Sequence, residues 1–187
     1  MQIANFSELT PFFETFLAES DRACGILSGV LLDSMLESLL RKVMLPTVPN
    51  DVFAAQGVLA SFSSKINVAY YLGHISNDEF TELHLIRKIR NDFAHAIDHN
   101  LTFSTPPVSD RIQHLRFPKI LIDYSYLAEK PPKDEELKAI RDQPRKRFEI
   151  SVGTITHLLT QRVAASQTPN SPRGLADMIA GVPAKAT

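Results

Sequence analysis

The segment 65–98, KINVAYYLGHISNDEFTELHLIRKIRNDFAHAID, constrains the fold more than any other part of this chain. Ile86, Ile89, Phe93 and Ile97 recur at three- and four-residue spacing, which places them on one stripe of a helix. Arg87, Arg90, Asn91 and His95 form a second, polar stripe; Arg87 and Asn91 are four residues apart, as are Asn91 and His95, so they line up along one side. Such a helix must bury its apolar face against other elements. Its face of Arg, Asn and His then either holds a neighbouring segment or performs chemistry.

The rest of the chain supplies helices for it to pack against. Ser7, Thr10 and Pro11 form a helix start leading into Phe12, Phe13, Phe16 and Leu17. Residues Glu19 to Leu45 carry the longest helical pattern, with Ile26, Val30, Leu31, Met35, Leu36, Leu39, Leu40 and Val43 on a broad apolar face, and Pro46 stops it. After a loop with Pro49-Asn50-Asp51 as turn chemistry, the pattern predicts a helix from Leu59 to Leu72 with Gly73 as its C-cap. Ser76 with Glu79 forms a capping box for the central helix, which is expected to reach Ile97. Asp98 to Pro107 is irregular, and Ser109 is read as the cap of a short helix, Asp110 to Arg116, broken at Phe117-Pro118. Lys119 to Leu127 does not resolve between helix and strand, and Glu129 to Pro144 reads as surface loop or weak helix. A final amphipathic helix is expected from Arg147 to Val163. The proline- and small-residue-rich stretch from Ala164 on offers too little apolar surface to offset ordering entropy. The expectation is an all-α fold: one compact multi-helix domain over 1–163 and a flexible tail over 164–187.

Composition bounds the function. At 187 residues, a single domain can bury roughly two-thirds of its unfolded surface. A net charge of −1 argues against a dedicated nucleic-acid binder, which carries a concentrated positive surplus. Cys24 is the one cysteine and can form no internal disulfide, which suits a reducing cytoplasm. The first residues lack the basic start and apolar core of a secretory signal, and no apolar run approaches the ~20 residues that cross a bilayer. These readings predict a cytoplasmic protein with no membrane partner.

Three chemistries can be weighed on the motifs. Residues 65–88 can be drawn as helix–turn–helix, but the reader helix would begin with Asn77, Asp78 and Glu79, followed by Glu82, and a duplex repels carboxylates there. They serve better as partners for a helix N-terminus, so direct DNA binding is not expected. His95 and His99 are four apart without a third ligand by spacing, so no metal site is expected, and no glycine-rich phosphate loop or dinucleotide fingerprint calls for a cofactor. The third candidate is Arg90-Asn91-Asp92-Phe93-Ala94-His95, which resembles the motif of the HEPN superfamily of helical domains, many of them metal-independent ribonucleases that act as dimers. The resemblance implies His95 as general acid or base, Arg90 neutralising charge on a phosphate, and Asn91 beside them, with two such helices facing across a homodimer. Against it stands a structural role. Glu19, Asp21 and Arg22 open the long helix and complement Arg87, Arg90 and Asp92. The expected polar network therefore pairs Asp21 or Glu19 with Arg87 or Arg90, and Arg22 with Asp92.

Several segments in order, ESDRACGILSGVLLDSMLESLLR (19–41), FSSKINVAYYLGHIS (62–76), LHLIRKIRNDFAHAID (83–98) and TFSTPPVSDRIQHL (102–115), resemble the mannitol operon repressor family. The likeness covers roughly residues 15–120. It implies an all-helical repressor of sugar-alcohol utilisation genes without a DNA-reading helix. It also implies a protein partner, either a DNA-binding regulator or a component of the sugar phosphotransferase system. On this reading the chain is a regulator rather than an enzyme, with the HEPN-like ribonuclease as the alternative.

Overall fold

The computed structural model describes residues 9–45, 52–98, 100–127 and 129–168. Its framework is the 23-residue helix α2 (Asp21–Val43), entered after α1 (Thr10–Ala18). Ser20 caps α2, its hydroxyl accepting from the Ala23 N–H at 3.2 Å. Then come α3 (Phe62–Tyr71), α4 (Asn77–His95), α5 (Pro106–Gln113), α6 (Phe117–Asp123), a 3-10 turn at Ser125–Leu127, α7 (Asp134–Asp142) and α8 (Pro144–Ala165). No β-strand occurs among the described residues, so the fold is all-α.

Helices α3, α4 and α8 all pack on α2. Long-range hydrogen bonds set their directions. Arg145, at the start of α8, reaches Asp21 at the start of α2 (2.8 Å), and Lys42, at the end of α2, donates to the Val163 carbonyl at the end of α8 (2.6 Å). Helices α2 and α8 therefore run parallel. Arg22 donates to the Ala96 carbonyl just past α4 (2.9 Å), so α4 runs antiparallel to both. The core between them holds Leu32, Leu36, Leu39, Ile86, Ile89, Phe93, Phe103, Phe148, Val152 and Ile155, each at 0% exposure. Ten buried residues lie on α2 because it is contacted on three sides. That also answers its hydropathy. By length and composition α2 could cross a bilayer, contrary to the reading that no run approaches that limit, yet 56% of that stretch is buried inside the protein.

Close approach explains two glycines. A Cβ at Gly25 would collide with the Phe93 ring, and one at Gly29 would lie 2.6 Å from Arg90 Cγ. These small positions on α2 let α4 come near enough to seat Phe93. Between α3 and α4 the capping box forms as expected, Ser76 Oγ accepting from Glu79 N–H and Glu79 Oε2 from Ser76 N–H. Gly73 follows the C-cap residue Leu72 with φ +75°, a left-handed position that glycine adopts without strain.

The boundaries in the second half differ from expectation. Helix α5 begins at Pro106, so Ser109 lies inside it instead of capping it. Phe117-Pro118 starts α6 rather than breaking a helix, and Lys119 to Leu127 is helix and 3-10 turn, not strand. Of the two readings of Glu129 to Pro144, loop or weak helix, the structure gives a helix over Asp134–Asp142 (α7), and α8 starts at Pro144. Prolines here fill first-turn positions, where their missing N–H is no loss. The central helix ends at His95, not Ile97, which is 93% exposed. The expected tail is described only as far as residue 168.

Candidate functional site

The polar stripe of α4 opens onto a cleft. A cavity of about 400 Å³ lies between α2, the amino end of α3 and α4, lined by Gly29, Val30, Asp33 and Ser34 from α2, residues 60–63, and Arg87, Arg90 and Asn91 from α4. Three of the four stripe residues meet there. His95, one turn further on, is exposed and outside the cleft.

The expected clasp between the two charged strings does not form. Asp21 is taken by Arg145 of α8 and accepts the Phe103 N–H at 2.9 Å. Arg22 goes to a backbone carbonyl. Asp92 faces Arg111 of α5, with Oδ2 2.7 Å from Nη1, an ion pair by distance whose angle does not make a hydrogen bond. Burial nonetheless raises the Asp92 carboxyl above the ordinary range, Arg111 opposing. Glu19 ends α1 and joins none of these pairs. Among the described residues, the salt bridges leave Arg87 and Arg90 out. The physical reason is geometric: Arg145 and Arg111, distant in sequence, reach Asp21 and Asp92 first.

The cleft is therefore cationic. Lys65, only 2% exposed, extends from α3 to Asp33 Oδ2 and Glu37 Oε2, both at 2.9 Å, and Glu37 also holds Arg41. For Lys65, burial pulls the ammonium down, but Glu37 and Asp33 outweigh it and the net direction is up. For Glu37, burial raises and the bonds from Lys65 and Arg41 lower it, with a net fall. Asp33 and Glu37 are thus engaged by Lys65 and Arg41, and Arg87 and Arg90 stand outside the ion pairs among the described residues.

Arg90 lays its aliphatic stem on Gly29 and donates from Nη1 to Asn91 Oδ1 at 3.1 Å. Its head is thereby steered along the cleft wall. Two buried polar atoms of cleft residues have no hydrogen-bond partner in the structure: the donor Nε of Arg87 and the acceptor Oδ1 of Asp33. The cleft also receives the start of α3. Ser61 caps that helix through the Ser64 N–H, leaving the first-turn N–H groups of Phe62 and Ser63 without intrahelical acceptors. Sequence reasoning found the arginines and Asn91 by helical spacing. It missed Asp33, Lys65 and the serines, whose convergence depends on how α3 docks.

Elsewhere buried carboxylates serve the scaffold. Glu79 (1% exposed) receives a two-pronged bond from Arg162 at 2.8 and 2.5 Å. Glu82 (0%) accepts from the backbone N–H of Arg116 and Phe117 and from Ser151 Oγ, tying α4 to the start of α6 and to α8. The Cys24 thiol is pushed up to about 12 by burial and is a packing residue. No group of metal-ligating side chains occurs among the described residues; His99 lies outside them.

In comparisons with models of protein families, with characterised proteins and with solved structures, nothing matches this chain.

Proposed function

We propose that this protein is a helical transcriptional regulator of the mannitol-repressor type, acting through a protein partner rather than by reading DNA itself. The ordered family-like segments motivate the reading. The observation that carries the mode of action is the position of α4. In a helix–turn–helix this would be the reader, yet its Glu79 and Glu82 are buried in the core and bound by Arg162, Ser151 and the start of α6. Asp78 at its first turn is paired with Arg116. With Asp78, Glu79 and Glu82 held in this way, the first turns of α4, which a reader helix would present to base edges, are not offered to a groove. Loss of the gene should raise transcription of sugar-alcohol uptake genes; an unchanged transcript refutes the regulatory reading. The purified protein alone should not shift its operator fragment. Sequence-selective binding with a steep salt slope would refute the partner mechanism.

One observation favours the HEPN-like ribonuclease as a second reading. Arg90 and Asn91 face a cleft with no acid bound to them. His95 lies outside that cleft, so a catalytic histidine would have to come from a facing copy of the chain. Incubation with mixed RNA without metal decides this: if wild type and His95→Ala cleave equally little, the enzyme reading fails.

A further inference from the structure

We infer that the cleft between α2, α3 and α4 is a binding site for a small hydroxylated phosphomonoester. The inference rests on the regulatory reading only for its consequence, effector control; the binding itself stands on the geometry. Three observations converge on it.

The first is charge. Asp33 and Glu37 are engaged by Lys65 and Arg41, and Arg87 and Arg90 stand at the cleft wall without an acidic partner within salt-bridge distance among the described residues. Two guanidinium groups match a phosphate dianion, and Arg suits phosphate because its planar fork supplies paired donors. Asn91 adds to the anion side: its Oδ1 is occupied by Arg90 Nη1, so its amide N–H groups are the part available to an acceptor.

The second is the pair of orphaned buried atoms. Arg87 Nε is a donor that calls for an acceptor, and Asp33 Oδ1 is an acceptor that calls for a donor. Both residues line the same cavity. Both atoms are closed to solvent in this structure, so a ligand meets them only when the two side chains turn toward the cavity; a buried polar group without a partner is costly, and a ligand that draws them out and satisfies both gains affinity from each. A bare anion answers only the arginine. A phosphate ester that also carries hydroxyl groups answers both, and the hydroxyls of Ser34, Ser61 and Ser63 extend the polar lining on that side.

The third is size. A cavity of about 400 Å³ falls in the range of small-molecule sites and is too small for a folded partner's surface. The amino end of α3 at the cleft adds favourable potential for an anion.

The probes are glycerol 3-phosphate, glucose 6-phosphate, inorganic phosphate and glucose, titrated calorimetrically into the full chain. Both phosphate esters should bind saturably and more tightly than inorganic phosphate, and glucose should not bind. Arg87→Gln should weaken the esters by about 10- to 100-fold, the loss expected for a hydrogen bond to a charged group, with an unaltered circular dichroism spectrum. Arg90→Gln should act in the same direction. Ser63→Ala, which leaves the arginines and Lys65 in place, should narrow the preference for glucose 6-phosphate over inorganic phosphate. Absence of saturable ester binding to folded wild type overturns the inference. So does ester binding that Arg87→Gln leaves unchanged, or binding only of an RNA oligonucleotide added in place of the esters. None of these results bears on whether loss of the gene derepresses transcription, so the two readings fail separately.

Discussion

Two glycines, on the packed helices α2 and α8, predict opposite effects for the same substitution. At Gly25 an added methyl meets the Phe93 ring, which is itself fully buried against Phe103. Neither ring can retreat without disturbing the core, so Gly25→Ala should cost about 1–3 kcal/mol in a urea melt. At Gly153, within α8, nothing lies within 4 Å of the added carbon. Gly153→Ala should therefore stabilise by about 0.4–1 kcal/mol through loss of unfolded-state freedom. If both alanines destabilise alike, close packing at Gly25 is not the cause. The buried glutamates make a second contrast. For Glu79, burial raises the carboxyl, but the Arg162 and Ser76 bonds outweigh it and hold it below the ordinary 4.5. Its stabilising contribution is present above 4.5 and is lost as pH falls through the lower folded value. For Glu82, burial prevails over its three donors and the carboxyl rises above 4.5. Its contribution is fully present below 4.5 and fades as pH climbs through the raised folded value. Arg162→Ala should thus cost about 2–3 kcal/mol at neutral pH and less in acid. Glu82→Gln should gain on wild type as pH rises from 4.5. A constant gap between Glu82→Gln and wild type across that range would sink the assignment.

At the scale of elements, the α2–α3 contact turns on one side chain. Lys65 is almost wholly buried while Asp33 and Glu37 remain about a third exposed, at 31% and 30%. Replacing it by methionine keeps the stem and removes the charge from two half-solvated acids. Lys65→Met should then cost about 1–3 kcal/mol, less than a fully buried pair because both carboxylates can recover water. If the double variant Asp33→Asn with Lys65→Met loses as much as the sum of the two singles, the pair is not coupled. The same contact shows what the chain reveals by itself. Local signals located α1 to α4 well, since the Ser76–Glu79 box acts within one turn and apolar periodicity needs no partner. They were less exact from α5 on: the final helix was found, but Phe117-Pro118 was read as a helix break, Pro106 as part of an irregular stretch and Pro144 as part of a loop or weak helix, and all three prolines sit in first turns. Proline is compatible with both roles, and only the residues that follow decide. The arginine stripe was legible as a face. Its partners were not, because ion pairing is settled by which of several cations arrives at an acid, and Arg145 and Arg111 lie on helices whose docking no spacing encodes.

For the whole molecule, the parallel arrangement of α2 and α8 is the organising fact. Two parallel helices in contact require the chain between them to travel back, and here it does so through α3 to α7. The core is a single cluster running from Leu9 to Leu159, with Phe148, Val152, Ile155 and Leu159 contributed by the last helix at 0% exposure. α8 also closes both ends of α2, through Arg145 to Asp21 at one and Lys42 to Val163 at the other. Its Arg162 and Ser151 satisfy the buried carboxylates of α4 as well. A chain ending at Gln143 would expose the apolar faces of α2 and α4 together and leave Glu79 and Glu82 short of partners. Removing four fully buried large side chains alone, at about 2–5 kcal/mol each, comes to as much as the ~5–15 kcal/mol that holds an ordinary domain together once their effects add. The truncated chain should therefore keep part of its helical circular dichroism, bind a hydrophobic dye, and melt without a cooperative transition. A sharp thermal transition in that fragment, with the full-length helical content per residue, would mean that α1 to α7 form a core of their own and that α8 is an addition to the fold instead of its keystone.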